Sequence, residues 1–314
     1  MSLVEPKNTT GLPLDLPVEE LVVVPRRRYG IWIGIAIAML FAFFIGKAFA
    51  TNPAFDWGTA ANYLFHPSIM RGLGKTLLLT VVIMAAAIVI GTIIAIMRVS
   101  PSAVLQTFAS AYVWFFRGVP ALIQLIFWFN LSLLFRTASL SIPGVGTIFS
   151  VNTNDFMTPF VSAVVALSLC EAGYLAEIIR AGIKSVPHGQ FEAASGLGMS
   201  YRQILRRIIL PQAMRFIVPP TGNEAISLLK MTSLVTFIAV DDLFYTAQSI
   251  YARTFETIPL LIVVAFWYLF VVTVMSIGQH FLERYYGRSD RRQENPLIRL
   301  LQSLLGSRKG SVQS

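Results

Sequence analysis

The sequence is poor in the residues that most enzyme chemistry needs. It has one cysteine, Cys170, in 314 residues. That excludes an intrachain disulfide and a multi-thiolate metal site, and three scattered histidines do not make up the lack. Charge is scarce as well: Asp, Glu, Lys and Arg make up only 13% of the chain, against about a quarter in ordinary soluble domains. No Gly-x-Ser-x-Gly or His-Glu-x-x-His pattern occurs, so neither a serine nucleophile elbow nor a zinc-protease helix is encoded. Gly74, Lys75 and Thr76 imitate the end of a phosphate-binding loop. Such a loop needs a glycine five residues before Gly74, and that position is Ile69. The chain is therefore expected to carry no catalytic site, no metal and no cofactor of its own.

Apolar residues fill the space that charge leaves. They make up 55% of the chain, with a mean hydropathy of +0.66, which places it in a membrane. A helix needs about 20 apolar residues to cross, and six such runs start near Tyr29, Thr76, Tyr112, Pro159, Phe216 and Ile258. The first, Tyr29 to Ala50, follows Arg26, Arg27 and Arg28 and is too long for a removable signal peptide, so it reads as a retained anchor. The net charge of +9 does not indicate nucleic acid, because the basic residues cluster at the ends of the apolar runs. With the N-terminus inside, eighteen of the 25 lysines and arginines fall in cytoplasmic segments. The outer loops hold only Arg71, Lys75, Arg136 and Arg253. Positive charge stays inside, so both termini are expected in the cytoplasm.

Soluble structure is expected to be slight. The arm 1–28 contains Pro6, Pro13, Pro17 and Pro25 and reads as disordered. In the tail, 284–314, Leu297, Leu300, Leu301, Leu304 and Leu305 recur at helical spacing. They read either as a short helix on the inner leaflet or as a frayed end. The most informative stretch is the loop 184–215. Its first half places Phe191, Ala194, Ser195, Gly198 and Met199 on one helical stripe, small enough to enter a partner's groove. Its second half sets Ile204, Leu205, Ile208 and Ile209 against Arg202, Arg206 and Arg207, an amphipathic pattern for the inner membrane surface before Pro211 redirects the chain.

Glu192-Ala193-Ala194, Gly198, Ile208, Leu210 and Pro211 stand at the spacings of the EAA loop, and in them the chain resembles the permeases of type I ABC importers. Four further segments resemble the polar amino acid branch, which includes the histidine, glutamine, glutamate and arginine permeases. They are Arg117-Gly118-Val119-Pro120 on to Gln124; Tyr174 to Ile183; Ser185 to Met199; and Leu210 to Arg215 with Asn223, Lys230, Thr232, Ser233 and Leu234. The resemblance implies an all-α integral membrane protein in the bacterial inner membrane, with a five-helix importer core over 72–283. The helix 29–50 is an extra N-terminal span. It also implies that Gln190, Phe191, Glu192, Ala193, Ala194 and Gly198 contact a cytoplasmic ATPase, which binds the ATP. The remaining implied partners are a second permease subunit, the same chain or a homologue, and an extracytoplasmic amino-acid-binding protein. By its own chemistry Gly198 permits close backbone approach. Glu192 reads either as a helix-start carboxylate or as an offer to a basic partner.

Substrate is sought among polar groups inside the spans, since a charge at mid-membrane costs about 2.5–3.5 kcal/mol on insertion scales. Glu171 lies in the fourth run with Ser168 three residues before and Tyr174 three after, and reads as a carboxylate flanked by two hydroxyls. It either holds a cationic group of the substrate or pairs inside the bundle with Lys230 or Arg117. Family members commonly carry a neutral residue at this position. Arg117 heads a Gly-Pro break in its helix and either binds a substrate carboxylate or snorkels to the inner surface. Gln124 reads as pore-lining. In the fifth run Pro219 and Pro220 are expected to interrupt the helix early, and Asn223, Ser227 and Lys230 then share a face beside Glu224. Alternating access driven by the partner ATPase is the expected mechanism. The alternatives are a different small organic ion as cargo, such as an opine, or an ion-coupled carrier, which would have no use for the EAA loop.

Overall fold

The computed structural model describes residues 29–142 and 146–286. The proline-rich arm and the leucine-spaced tail lie outside them. The chain forms two compact units, Met1–Phe55 and Asp56–Ser314. The described part of the first is one apolar helix, α1 (Tyr29–Thr51), and a 3₁₀ turn at Pro53–Phe55.

The second unit opens with α2 (Trp57–Leu64) and continues into α3 (Pro67–Val99). Proline at the first position of α3 lacks only a hydrogen bond that no helix start makes, and the His66 ring accepts from Ser68 N–H at 3.3 Å. Next come α4 (Ala103–Gly118) and α5 (Ala121–Phe129), which meet at 98° across Val119 and Pro120. The run expected from Tyr112 is thus a bent pair that begins at Ala103. After α6 (Leu131–Leu134) comes a hairpin of β1 (Thr137–Ile142) and β2 (Gly146–Asn152), with Thr137 opposite Asn152. Sequence reading did not anticipate it. Then follow α7 (Thr153–Phe156), α8 (Pro159–Lys184), α9 (His188–Gly196) and α10 (Tyr201–Ile204), and a π-turn at Leu205–Ile209 leads into α11 (Leu210–Met231). A 3₁₀ segment, Thr232–Ile238, precedes α12 (Leu243–Thr254) and α13 (Thr257–Tyr286).

Among the described residues α1, α3, α8 and α13 are long and apolar enough to cross a membrane, and the bent pair α4–α5 makes a fifth. Helix α11 is too polar for that test, yet its 22 residues cover about 33 Å. Two expectations about α11 are corrected. Pro219 and Pro220 do not break it; the α-helix runs on to Met231. Neighbouring side chains bond carbonyls beside the prolines: Thr221 Oγ1 donates to Ile217 O at 2.8 Å, and Gln279 Nε2 donates to Pro219 O at 2.7 Å. Nor does Pro211 redirect the chain. The π-turn, closed by Leu210 N–H on Leu205 O, widens the helix where a proline would otherwise crowd the preceding carbonyls.

Helix α8 is the centre of the bundle, packed against α3, α4, α5 and α11. It meets α3 through small residues. Ala87, Gly91 and Ala95 recur every fourth position on α3 and face Ala172, Leu175 and Ala176. A Cβ at Gly91 would stand 2.9 Å from Leu175 Cβ and 3.0 Å from Ala172 O, so Gly91→Leu forces the pair apart. Overpacking of this kind costs about 1–3 kcal/mol. The variant is expected to lose its monodisperse peak in fluorescence-detected size exclusion, while Gly74→Leu, where nothing lies within 4 Å, retains it.

Ion pairs mark both ends of the bundle. At one end Glu177 on α8 joins Arg98 of α3 (2.5 Å) and Arg180 (2.6 Å). At the other Lys75 Nζ meets Asp241 Oδ2 at 2.8 Å. Lys75 and Arg98 are 23 positions apart on one helix, a separation of about 35 Å, enough to bracket a bilayer core. The Gly-Lys-Thr triplet therefore serves a helix: Thr76 Oγ1 accepts from Leu243 N–H at 3.0 Å and ties α12 to α3.

Candidate functional site

A cleft of about 390 Å³ opens where the α4–α5 pair breaks. Its wall is the break itself, Arg117 to Ala121, together with Cys170, Glu171 and Tyr174 of α8 and Glu224, Ser227 and Met231 of α11. One guanidinium, two carboxylates and a phenol thus face one space. The Arg117 guanidinium lies 4.9 Å from the centre of the Tyr174 ring, a cation–π placement that directs the charge into the cleft. Gly173 makes this possible, because a Cβ there would stand 3.2 Å from Arg117 Cγ. Glu171 is 2% exposed, and its Oε1 has no hydrogen-bond partner among the described residues. Neither Lys230 nor Arg117 pairs with it among the described residues.

Several sequence candidates do other work. Ser168 is buried and donates to Ile83 O at 3.3 Å, so it faces α3 rather than the cleft. The reason is geometric: residues 168 and 174 are six apart and diverge by about 120° around the helix. Gln124 is buried, and its Nε2 donates to Phe116 O (2.9 Å) and Val119 O (2.8 Å). It fills the carbonyls that α4 leaves free where Pro120 stops the helix, and it does not line the cleft. On α11 the lining row is Glu224, Ser227 and Met231, while Asn223 and Lys230 lie exposed outside it. Sequence reading noted Glu224 only as a neighbour of the polar face. Its spacing from Ser227 and Met231, three and seven residues, was the available signal.

At the basic end, α9 turns Phe191 and Ala194 back onto the chain's own core, with Val186, Ile204, Ile209 and Ala213. Of the expected stripe, Phe191, Ala194 and Met199 pack within the chain, while Ser195 and Gly198 stay exposed. The helix ends at Gly196, and Gly198 takes φ +76° with open space around its Cβ position. Its N–H bonds Ser195 O at 2.9 Å and the Met199 N–H bonds Ala194 O at 3.2 Å. This double closure needs glycine for its left-handed backbone. Gln190, Glu192, Ala193 and Leu197 point outward, and Leu197 is 83% exposed. Glu192 lies in the second turn of α9 and meets His188 Nδ1 at 3.0 Å. On the π-turn side Arg202, Arg206 and Arg207 are exposed over buried Ile204 and Ile209, the amphipathic division read from the sequence.

Residues 87–287 match the model of the binding-protein-dependent transport system inner membrane component. The chain belongs to that family. The arginine transport system permease protein of Corynebacterium glutamicum is 42% identical over 270 residues, covering 85% of this chain and 84% of that protein. The glutamate/aspartate import permease protein of Escherichia coli O157:H7 is 36% identical, covering 73% of this chain and 97% of its own. A chain from the crystal structure of an amino acid ABC transporter with histidines is 33% identical, with a TM-score of 0.62 over 73% of this chain and 98% of that one. This permease therefore has the type I ABC importer transmembrane fold, a five-helix core with an extra N-terminal helix. It is a multi-pass inner membrane subunit of an amino acid ABC importer and not itself an enzyme.

Proposed function

We propose that this permease imports cationic amino acids, arginine above all, and that a separate ATPase drives it through the 184–215 loop. The observation that carries the cargo is the cleft at the helix break. An α-amino acid with a basic side chain is a carboxylate at one end and a cation at the other. Arg117 suits the carboxylate, and Glu171 with Glu224 suits the cation. A carboxylate as buried as Glu171, with one oxygen unpaired, is costly to the fold and is best explained by an arriving positive partner. The 42% identical relative is named for arginine transport, which agrees.

Both termini and the basic end are assigned to the cytoplasm, following the lysine and arginine distribution. The exposed row Gln190, Glu192, Ala193 and Leu197 then docks on the ATPase, and Gly198 holds the turn that presents Leu197. One such loop engages one ATPase, so two permease subunits act together. A binding protein delivers substrate from outside, ATP binding closes the ATPase pair, and the loops tilt the bundles so that the cleft opens inward. ATP stays on the partner. Uptake into vesicles carrying the purified complex, binding protein and internal ATP tests the cargo. Unlabelled lysine is expected to compete with labelled arginine, and glutamate is not. Equal competition by glutamate and lysine contradicts the reading.

A further inference from the structure

A wider cleft, of about 650 Å³, opens at the basic end of the bundle between the α3–α4 turn, the end of α8, and helices α9 and α10. Arg98, Gln106 and Lys184 supply its polar side, and Val99, Phe191 and Leu205 an apolar one. No carboxylate lines it. His188, which also lines it, is exposed and held by Glu192. Sequence reading counted Arg98 and Lys184 only toward the positive charge of the inner side. The structure brings both to one space.

The charges around this space do not balance. Arg98, Arg180 and Lys184 stand against one carboxylate at this end of α8, Glu177, which bonds both arginines. Lys184 is exposed and meets no carboxylate among the described residues. Arg98 commits only its Nη1 to Glu177 among those residues, and a guanidinium has further N–H donors to offer.

Height in the membrane says what this excess charge meets. Arg98 marks one edge of the bilayer core, as Lys75 marks the other, so the cleft opens at headgroup level. Gln106 brings the first turn of α4 to the cleft wall, and its neighbours Val104, Leu105 and Phe108 are exposed apolar residues, a surface for acyl chains to cover. On the π-turn side Arg202, Arg206 and Arg207 keep the same interfacial level.

We infer that this cleft binds an anionic phospholipid of the inner leaflet, which steadies the seat of helix α9 and so the coupling to the ATPase. The phosphate lies on Lys184 and Arg98, which suit it by charge and by donor geometry, and an acyl chain runs along α4. The apolar side decides against a soluble anion: phosphate gains nothing from Val99, Phe191 and Leu205, whereas a lipid removes them from water. Phe191 belongs to α9, whose outward row is the proposed ATPase face, so the lipid fills the space behind that helix. The inference holds whichever amino acid is carried.

The test strips the purified permease–ATPase complex of lipid in detergent and titrates it with phosphatidylglycerol and with phosphatidylcholine of the same chains. Bound lipid is counted by native mass spectrometry. Phosphatidylglycerol is expected to bind about tenfold more tightly than phosphatidylcholine. Lys184→Glu is expected to abolish the preference and Lys184→Gln to weaken it severalfold. Arg206→Glu makes the same charge change outside the cleft and is expected to keep it. A monodisperse size-exclusion peak confirms that each variant is folded. In vesicles, uptake per ATP hydrolysed by the wild type is expected to be severalfold higher in an equimolar mixture of the two lipids than in phosphatidylcholine alone. Equal binding of the two lipids, or equal coupling in the two membranes, overturns the inference. So does an Arg206→Glu loss as large as that of Lys184→Glu, which assigns the preference to diffuse surface charge. Displacement of phosphatidylglycerol by glycerol phosphate gives the cleft to a soluble anion, and dissociation of the ATPase from folded Lys184→Gln gives it to a carboxylate of that subunit; either result also overturns it.

Discussion

Glu171→Gln is expected to lower kcat/KM for arginine uptake by about a hundredfold while raising the thermal midpoint of the purified complex. The two effects have one cause. The wild-type carboxylate is buried and its Oε1 has no hydrogen-bond partner among the described residues, so removing its charge relieves the fold of a desolvation cost. The same change withdraws the partner of an incoming guanidinium, and losing one member of a buried charge pair costs about 2–5 kcal/mol. Glutamine keeps the size and a hydrogen-bonding oxygen, so packing against Cys170 and Tyr174 is preserved. A residue with only a structural role would not separate stability from transport in this way. Uptake kinetics and a thermal-shift curve on one preparation decide it: unchanged uptake removes Glu171 from the cargo site.

Leu197→Asp is expected to uncouple the permease from its ATPase. Leu197 stands at the tip of the basic-end loop, 83% exposed, on a turn fixed by the two hydrogen bonds around Gly198. Full burial of a leucine is worth about 1.5–3 kcal/mol, and a charge in its place adds a desolvation cost. The ATPase is expected to dissociate during purification and uptake to fall by about two orders of magnitude, with membrane insertion intact. Gly198→Val acts on the same contact indirectly, since a β-branched residue resists φ +76°. It is expected to weaken coupling by a smaller factor. An ATPase that stays bound to the Leu197→Asp chain moves the docking face elsewhere on the loop.

The importer fold was legible because its signals are local. The apolar runs give the crossings, and the amphipathic division of 201–209 survives in the structure because alternation of arginine and isoleucine depends only on helical geometry. What escaped depends on rotation or on distant contacts. The stripe through Phe191, Ala194 and Gly198 was read as one outward face, whereas the chain's own core at Ile204 and Ala213 takes Phe191 and Ala194 and leaves Gly198 exposed. Pro219 and Pro220 read as breakers because Gln279, sixty residues away, was not visible as a hydrogen-bond donor to the Pro219 carbonyl. Gln124 looked like a pore residue for the same reason: the carbonyls it serves exist only because the helix stops at Val119. Arg117, Glu171 and Tyr174 were legible as polar groups in apolar runs. That they converge, and that Glu224 joins them, is a product of how α4, α8 and α11 pack.

Asp242 gives a third case. It caps α12, with Oδ1 accepting from Tyr245 N–H at 2.8 Å, and is fully buried. Burial pushes its carboxyl up to about 6. A folded pKa above the unfolded value means that stability is greatest below about pH 4 and is lost as pH rises toward 6. Asp242→Asn keeps the cap and is expected to flatten that part of the thermal stability profile, whereas a variant whose profile keeps the wild-type slope assigns it to other groups.

The most direct measurement is calorimetric titration of the purified permease–ATPase complex, without any binding protein, with arginine and with citrulline. Citrulline has nearly the same shape but carries a neutral urea in place of the guanidinium. The cleft of Arg117, Glu171 and Glu224 predicts that arginine binds and citrulline binds at least about a hundredfold more weakly, with the preference largely lost in Glu171→Gln. Equal affinity for the two in the wild-type complex, or an undiminished preference in the variant, contradicts a cation-recognising site at the helix break.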